Sequence, residues 1–328
     1  MIILRAEEVK KALPMAETIE AMKSAYTALA KGRAQVPLRA HLDVAPYNGA
    51  SLFMPSYVQD EGGDALALKA VSVFPSNADR GLPVIHAAVL VLEPQTGKPV
   101  AFLEGSALTA IRTGAASGAA TDLLALPAAT QVAIFGAGVQ GRTQLEAICS
   151  VRNIKTAWIF DLNPQKARDF VNECQKNTAL PQDIRLAANP RDSASQADII
   201  CTATTSTTPV YPPDAIKPGT HINGVGSYTL QMIENPPLIF DRAAIFVDSI
   251  EAVMAEAGEI VPAVKQKIIT PQNLVELGDV ILGKAPGRTS KNQITFFKSV
   301  GVAVQDAMAA RLALQNAHKM GLGQIVAW

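Results

Sequence analysis

Residues 130–161, TQVAIFGAGVQGRTQLEAICSVRNIKTAWIFD, constrain the fold more than any other part of this chain. Residues 131–135 are a short β-branched and apolar run that passes directly into Gly136-Ala137-Gly138-Val139-Gln140-Gly141, a G-x-G-x-x-G turn opening a helix. Each glycine has its own task. Gly136 makes the tight turn, Gly138 lets the backbone approach a pyrophosphate, and Gly141 lets the helix pack close to the strand. The helix N-terminus, beginning at Val139 and Gln140, offers unpaired N–H groups and a partial positive charge to phosphates. A second strand, 156–160, ends in Asp161, 20 residues beyond Gly141. A carboxylate at that distance accepts hydrogen bonds from both ribose hydroxyls and repels a 2′-phosphate. The stretch therefore predicts a dinucleotide site that prefers NAD(H), with NADP(H) second.

From residue 131 onward strands and helices alternate, with strands near 131–135, 156–160, 184–187, 198–202, 220–224, 244–248 and 293–297. That alternation implies an α/β, Rossmann-type, doubly wound and mostly parallel sheet. The region before it reads differently. A helix over 15–33 carries apolar residues at Met15, Ile19, Met22, Tyr26 and Leu29, and strand-like runs follow at 38–44, 50–54, 65–74, 83–93 and 99–104. Short turn-rich loops between consecutive strands predict an antiparallel sheet and an α+β domain. A helix rich in small residues, 107–126, joins the two, and a last helix over 300–317 is expected to return to the first domain. The resulting division is 1–112 with 307–328 as one domain and 113–306 as the dinucleotide-binding domain.

The chain has 328 residues, is 48% hydrophobic and 18% charged, and balances 29 basic against 29 acidic residues. Net charge thus gives no reason to expect nucleic acid or an anionic membrane. The longest apolar run, 87–92, falls far short of the roughly 20 residues of a spanning helix. The N-terminus MIILRAEEVKK lacks a secretory h-region, so a cytoplasmic protein is expected. Cys149, Cys174 and Cys201 are widely spaced and read as buried small apolar residues. His41, His86, His221 and His318 show no metal spacing, and no metal is expected.

Hydride chemistry at a dinucleotide site requires side chains that hold a small substrate and manage one proton. Lys69 lies within the otherwise apolar Ala65-Leu66-Ala67-Leu68-Lys69-Ala70-Val71, where burial would disfavour its ammonium form. It is a candidate acid or a partner for a carboxylate; a lysine snorkelling from a sheet edge reads equally well. Arg112 stands in a small-residue helix between Glu104 and Asp122, suited either to bidentate grip on a substrate carboxylate or to a structural ion pair. Arg39 is a weaker candidate. His86, in the 85–92 strand, is expected to be a satisfied core histidine more than a proton relay.

Pro37-Leu38-Arg39, Met54-Pro55, the Lys69 strand, Leu108-Thr109 with Arg112-Thr113, Gly136-Ala137-Gly138-Val139-Gln140, His221-Ile222-Asn223 with Gly224-Val225-Gly226, and Phe296-Phe297-Lys298-Ser299-Val300-Gly301 occur in order. Together they resemble the ornithine cyclodeaminase/μ-crystallin family. The resemblance implies a homodimer whose first domain, completed by the C-terminal helix, forms the subunit contact and the substrate site. It implies that Arg39, Lys69 and Arg112 hold the carboxylate of an amino or imino acid. Thr113, the loop carrying Thr202 and Thr204, and Ser299, Val300 and Gly301 would line the cofactor. Two departures shift the expected reaction. Leu52 stands where ornithine cyclodeaminases carry a glutamate, and Gly226-Ser227-Tyr228-Thr229-Leu230 replaces a segment that in them holds an aspartate. A second substrate ammonium would lack a partner, which is costly in a closed site. The pattern is therefore closer to the ketimine and Δ1-pyrroline-2-carboxylate reductases, with Tyr228 or Ser227 as minor candidates in proton transfer. Ornithine cyclodeaminase, alanine dehydrogenase and a non-catalytic μ-crystallin-like binding protein follow in that order.

Overall fold

The computed structural model describes residues 1–327; the last residue of the expected first domain, position 328, lies outside them. In chain order the first elements are β1 (Ile2–Leu4), α1 (Ala6–Ala12), α2 (Met15–Ala30), β2 (Ala34–Gln35), β3 (Ala40–Val44), β4 (Gly49–Val58), β5 (Ala65–Val73), β6 (Ile85–Leu92), β7 (Pro99–Glu104) and α3 (Gly105–Leu124). Then come β8 (Gln131–Phe135), α4 (Val139–Val151), β9 (Thr156–Phe160), α5 (Pro164–Cys174), β10 (Asp183–Leu186), α6 (Pro190–Gln196), β11 (Ile199–Thr202), β12 (His221–Gly224) and β13 (Ala243–Val247). The chain closes with α7 (Ile250–Glu256), α8 (Ile260–Lys265), β14 (Leu274–Glu276), α9 (Leu277–Ile281), β15 (Ile294–Lys298), α10 (Ala303–Met320) and β16 (Gln324–Ile325). Two compact units result, one from Met1–Arg112 with the segment from Val302, the other Thr113–Gly301. The division falls inside α3, and the return comes at Val302 and not at 307, because the first turn of α10 is bonded to the first unit at Tyr26, Lys69 and Arg112.

The first unit is built on an eight-stranded sheet in the order β16-β1-β7-β6-β5-β4-β2, with β3 also on β4. Side chains alternate across a strand, and β5 shows it: Ala65, Ala67, Lys69 and Val71 are buried while the residues between them are half-buried. The buried face packs against α10, which also packs on α2. Met15, Ile19, Met22 and Tyr26 lie along the buried stripe of α2. The opposite face of the sheet carries Pro55, Leu68, Leu90, Phe102 and Ile3 side by side across β4, β5, β6, β7 and β1, and none of them is buried. The sheet is not wholly antiparallel, since β1 pairs with β7 in parallel. Strands β1 and β16, of three and two residues, pair with each other and escape notice in the sequence.

The second unit holds an all-parallel sheet in the order β10-β9-β8-β11-β12-β15-β13-β14. Its strands are short, and β8, β11, β12 and β15 are almost entirely buried; β8 and β11 read as apolar runs for that reason, whereas β12 and β15 bury His221, Asn223, Thr295 and Lys298 as well. Strand order reverses at the β8/β11 junction, the switch point where a doubly wound sheet binds its ligand. No helix among the described residues is long and apolar enough to cross a membrane.

Candidate functional site

In the first unit Lys69 and Arg112 meet on one carboxylate. Lys69 Nζ lies 2.7 Å from Asp306 Oδ2, and Arg112 Nε donates to Asp306 Oδ1 at 2.9 Å. Arg112 Nη1 donates to Gln305 Oε1 at 2.6 Å, and Gln305 Nε2 donates to the Tyr26 hydroxyl at 2.6 Å. Lys69, Arg112 and Asp306 are all buried. Burial drives the Lys69 ammonium down to about 8; Asp306 opposes the shift, while Arg112 and Arg39 add to it. Burial also works against the Asp306 carboxylate, but Arg112 and Lys69 outweigh it and hold the acid below its ordinary range. Arg39, half-buried just before β3, thus stands close enough for its charge to act on Lys69. Two buried cations, Lys69 and Arg112, against one anion, Asp306, leave a net positive charge.

Around Lys69 the same sheet face is largely apolar, with Ser56 opposite Ala67 a buried polar exception. Met54 pairs with Lys69 across β4 and β5, and Leu52 pairs with Val71. Met54, Val71 and Ala303 form a buried cluster with Val36, Leu52 and Ala87 packed against it. Asp306 and Gln305 were missed in the sequence. Their signal was a polar pair in the first turn of an alanine-rich helix, at 303–320, where a buried face leaves no apolar use for them. His86 pairs with Ser72, on the face opposite Lys69, and is exposed; the expectation of a satisfied core histidine is corrected, because its side chain lies on the sheet face that α10 does not cover.

In the second unit the glycine turn follows β8. Gly136 has φ +105°, and a Cβ there would stand 2.5 Å from Ala203 O, so the turns after β8 and β11 touch. A Cβ on Gly141 would lie 2.1 Å from Gly136 O, whereas a Cβ on Gly138 would meet nothing within 4 Å. Above Gly138 there is accordingly open space at the N-terminus of α4. Val139 is exposed there, and the buried Oε1 of Gln140 has no hydrogen-bond partner among the described residues. An open glycine cradle and the N–H groups of a helix N-terminus fit a dinucleotide pyrophosphate. Asp161, after β9, accepts from Ala137 N at 2.9 Å and from Asn163 N at 2.8 Å, so its carboxylate stands beside the turn.

The remaining cofactor candidates are engaged with residues that the sequence did not single out. Thr202 Oγ1 and Thr204 Oγ1 donate to Glu234 at 3.2 and 2.8 Å. Ser299 Oγ, Val300 N and Gly301 N all donate to Asp248 Oδ2, at 2.8, 3.0 and 2.8 Å. Thr113 O accepts from Gln144 Nε2 of α4 at 3.2 Å. Ser227 Oγ donates to Met232 O at 2.6 Å, and burial raises the Tyr228 hydroxyl. His221 is held between Thr295 and Asn223, with burial lowering it to about 3, and Asn223 Nδ2 donates to Thr121 Oγ1. The three cysteines are free, and burial pushes Cys174 up to about 11 and Cys149 up to about 12.

The model of the ornithine cyclodeaminase/mu-crystallin family matches residues 1–321. The chain belongs to that family. It is 36% identical over 326 residues to a Δ1-pyrroline-2-carboxylate reductase of Bacillus cereus, covering 99% of each chain. The solved structure of the Thermococcus litoralis Δ1-pyrroline-2-carboxylate reductase, in complex with NADH and L-proline, superposes with a TM-score of 0.94 at 40% identity, covering 99% of this chain and 100% of that one. An archaeal alanine dehydrogenase dimer with bound NAD gives a TM-score of 0.91 at 31% identity, covering 100% and 99%.

Proposed function

We propose that this protein is an NAD(P)H-dependent reductase of small 2-imino acids, with cyclic ketimines such as Δ1-pyrroline-2-carboxylate and Δ1-piperideine-2-carboxylate as its substrates. The buried surplus of positive charge around Asp306 carries the reading. An uncompensated buried cation is expensive, and an imino acid brings the carboxylate that offsets it. Arg112 and Arg39 receive that carboxylate. Lys69, lowered to about 8, keeps its proton at neutral pH and gives it up readily. The apolar wall of Met54, Leu52, Val71 and Ala303 suits ring methylenes, and Leu52 offers nothing to a second ammonium.

The glycine turn after β8 holds the pyrophosphate, and Asp161 favours NADH over NADPH. When bound, the reduced nicotinamide supplies the hydride for the C=N carbon; Lys69 supplies the proton for nitrogen. The Thermococcus litoralis relative, with NADH and L-proline, supports this choice of cofactor and product class. A homodimer goes with the same reading. The uncovered apolar face of the first-unit sheet, Pro55, Leu68, Leu90, Phe102 and Ile3, is a surface that a second copy would cover, and the archaeal alanine dehydrogenase relative is a dimer. Three free cysteines and a dependence on reduced nicotinamide support a cytoplasmic location.

Purified protein is given NADH with Δ1-pyrroline-2-carboxylate, with Δ1-piperideine-2-carboxylate, or with pyruvate and ammonia, and nicotinamide absorbance is followed. A parallel reaction holds NAD and ornithine and is assayed for proline. Oxidation of NADH by a cyclic imine is the expected result. Proline from ornithine, with no imine reduction, would transfer the chain to the cyclodeaminases.

A further inference from the structure

Besides Asp248, the second unit buries three charged residues that the proposed chemistry leaves unused: Glu234, Glu259 and Lys298. Lys298 Nζ lies 3.1 Å from Glu259 Oε2, and Glu259 Oε1 accepts from Glu234 N, Asn235 N and Asn235 Nδ2, each at 2.8 Å. That pair anchors the backbone on which Glu234 sits. The Glu234 carboxylate reaches elsewhere. Thr204 N and Thr204 Oγ1 donate to its Oε1 at 2.5 and 2.8 Å. Gly226 N, Ser227 N and Thr202 Oγ1 donate to its Oε2 at 2.7, 3.0 and 3.2 Å. Three of these donors are backbone N–H groups, which cannot reverse their role.

These N–H groups belong to the turns that leave β11 and β12 at the carboxyl edge of the parallel sheet, where a doubly wound fold receives its dinucleotide. A Cβ at Gly226 would stand 2.1 Å from Thr204 O and 2.5 Å from Glu234 Oε1, so the two turns close on the carboxylate only with glycine there. The turn after β11 in turn abuts the glycine turn, through Gly136 and Ala203. One carboxylate thus sets the relative position of two cofactor-facing turns and, through contact, supports a third.

We infer that Glu234 is a positioning residue of the dinucleotide site: it locks the turns after β11 and β12 together through Thr204, Gly226 and Ser227 and so fixes the surface that receives the nicotinamide half of the cofactor. This rests on the reading of the second unit as a nicotinamide-dinucleotide site. The lock depends on ionisation, since a protonated carboxyl would bring an O–H into a set of N–H donors. Burial raises Glu234 to about 7, with Glu259 adding to the shift and Lys298 opposing it. The other titratable groups that act on this cluster are Cys201 and Tyr211, which burial holds protonated well above neutrality. Burial thus disfavours the Glu234 carboxylate, whose titration depends on the charge of the neighbouring Glu259, while those two groups stay protonated.

The test compares wild type, Glu234→Gln and Glu234→Asp by NADH fluorescence titration between about pH 5.5 and 8.5, with amide hydrogen exchange on the protein without added cofactor. In wild type the NADH dissociation constant should rise as pH falls through about 7. In Glu234→Gln it should be at least about tenfold weaker at pH 8 and nearly independent of pH. Exchange at Thr204, Gly226 and Ser227 should quicken, with β8 and β9 unchanged. Glu234→Asp should recover part of the affinity and the wild-type direction of the pH dependence. An unchanged dissociation constant or an unchanged pH profile in Glu234→Gln overturns the assignment, as does faster exchange spread over the whole unit. Should neither variant fold, the wild-type profile decides, and a flat one overturns it. Wild type that binds no NADH at any pH refutes instead the reading of the site on which this rests.

Discussion

Replacing Lys69 with methionine separates what the buried ammonium costs the fold from what it does in the reaction. Burial lowers Lys69 from 10.5 to about 8, and at about 1.4 kcal/mol per pH unit the folded state works against the charged form by about 3 kcal/mol. The unfolded chain holds this proton more tightly than the folded one, so stability from this group is lowest below pH 8 and recovers as pH rises toward 10.5. Methionine has no proton to lose. Its packing and the lost contact to Asp306 Oδ2 shift stability by an amount independent of pH in this range. The difference in unfolding free energy between variant and wild type should therefore move by about 3 kcal/mol, in favour of wild type, between about pH 7.5 and 10.5. Urea unfolding of both proteins at the two pH values measures it, and titration of other groups cancels in the difference. Asp306 remains neutralised by Arg112 in the variant, so the fold should persist while turnover is lost and NADH binding is retained. A stability difference that stays constant with pH would refute the argument that Lys69 is a strained, easily deprotonated ammonium.

Two glycines of the same turn should respond in opposite ways to alanine. Gly141→Ala drives a Cβ to 2.1 Å from Gly136 O and should lower stability by about 3 kcal/mol in thermal or urea unfolding. Gly138→Ala meets open space and should leave stability within about 0.5 kcal/mol while weakening NADH about tenfold by fluorescence titration. Asp161→Ser removes the carboxylate beside the turn and should lower the NADH-over-NADPH preference in kcat/KM by about tenfold; an unchanged ratio would remove Asp161 from cofactor selection. Phe102→Asp places a charge in the middle of the uncovered sheet face and should yield monomers in light scattering, with persistent dimers locating the subunit contact elsewhere.

The glycine turn, its flanking strands and Asp161 were legible because each is local: strand, turn and helix are contiguous, and the spacing is counted along the chain. The short parallel strands were legible for a related reason, since burial on both faces leaves runs such as Ile199–Thr202 without polar interruption. Lys69 and Arg112 stood out as charges in apolar surroundings, but each alone remained open to a bland reading. What joins them is Asp306, 194 residues beyond Arg112 in sequence. Glu234 and Asp248 escaped for a similar reason: an acid before a proline-rich segment and an acid after a strand look like surface residues until the fold shows their donors.

The sequence by itself determined the parallel α/β half, the dinucleotide turn, the family and the residue types that could hold an imino acid. Only the tertiary structure decided which acid neutralises which cation, and that the hydroxyls of Thr202 and Thr204 turn toward a buried carboxylate. Secondary structure is governed by side-chain periodicity within a few residues, and that is written in the chain. The ionisation and partners of a buried group depend on what distant segments bring beside it, through Coulomb terms that act over space and not along sequence.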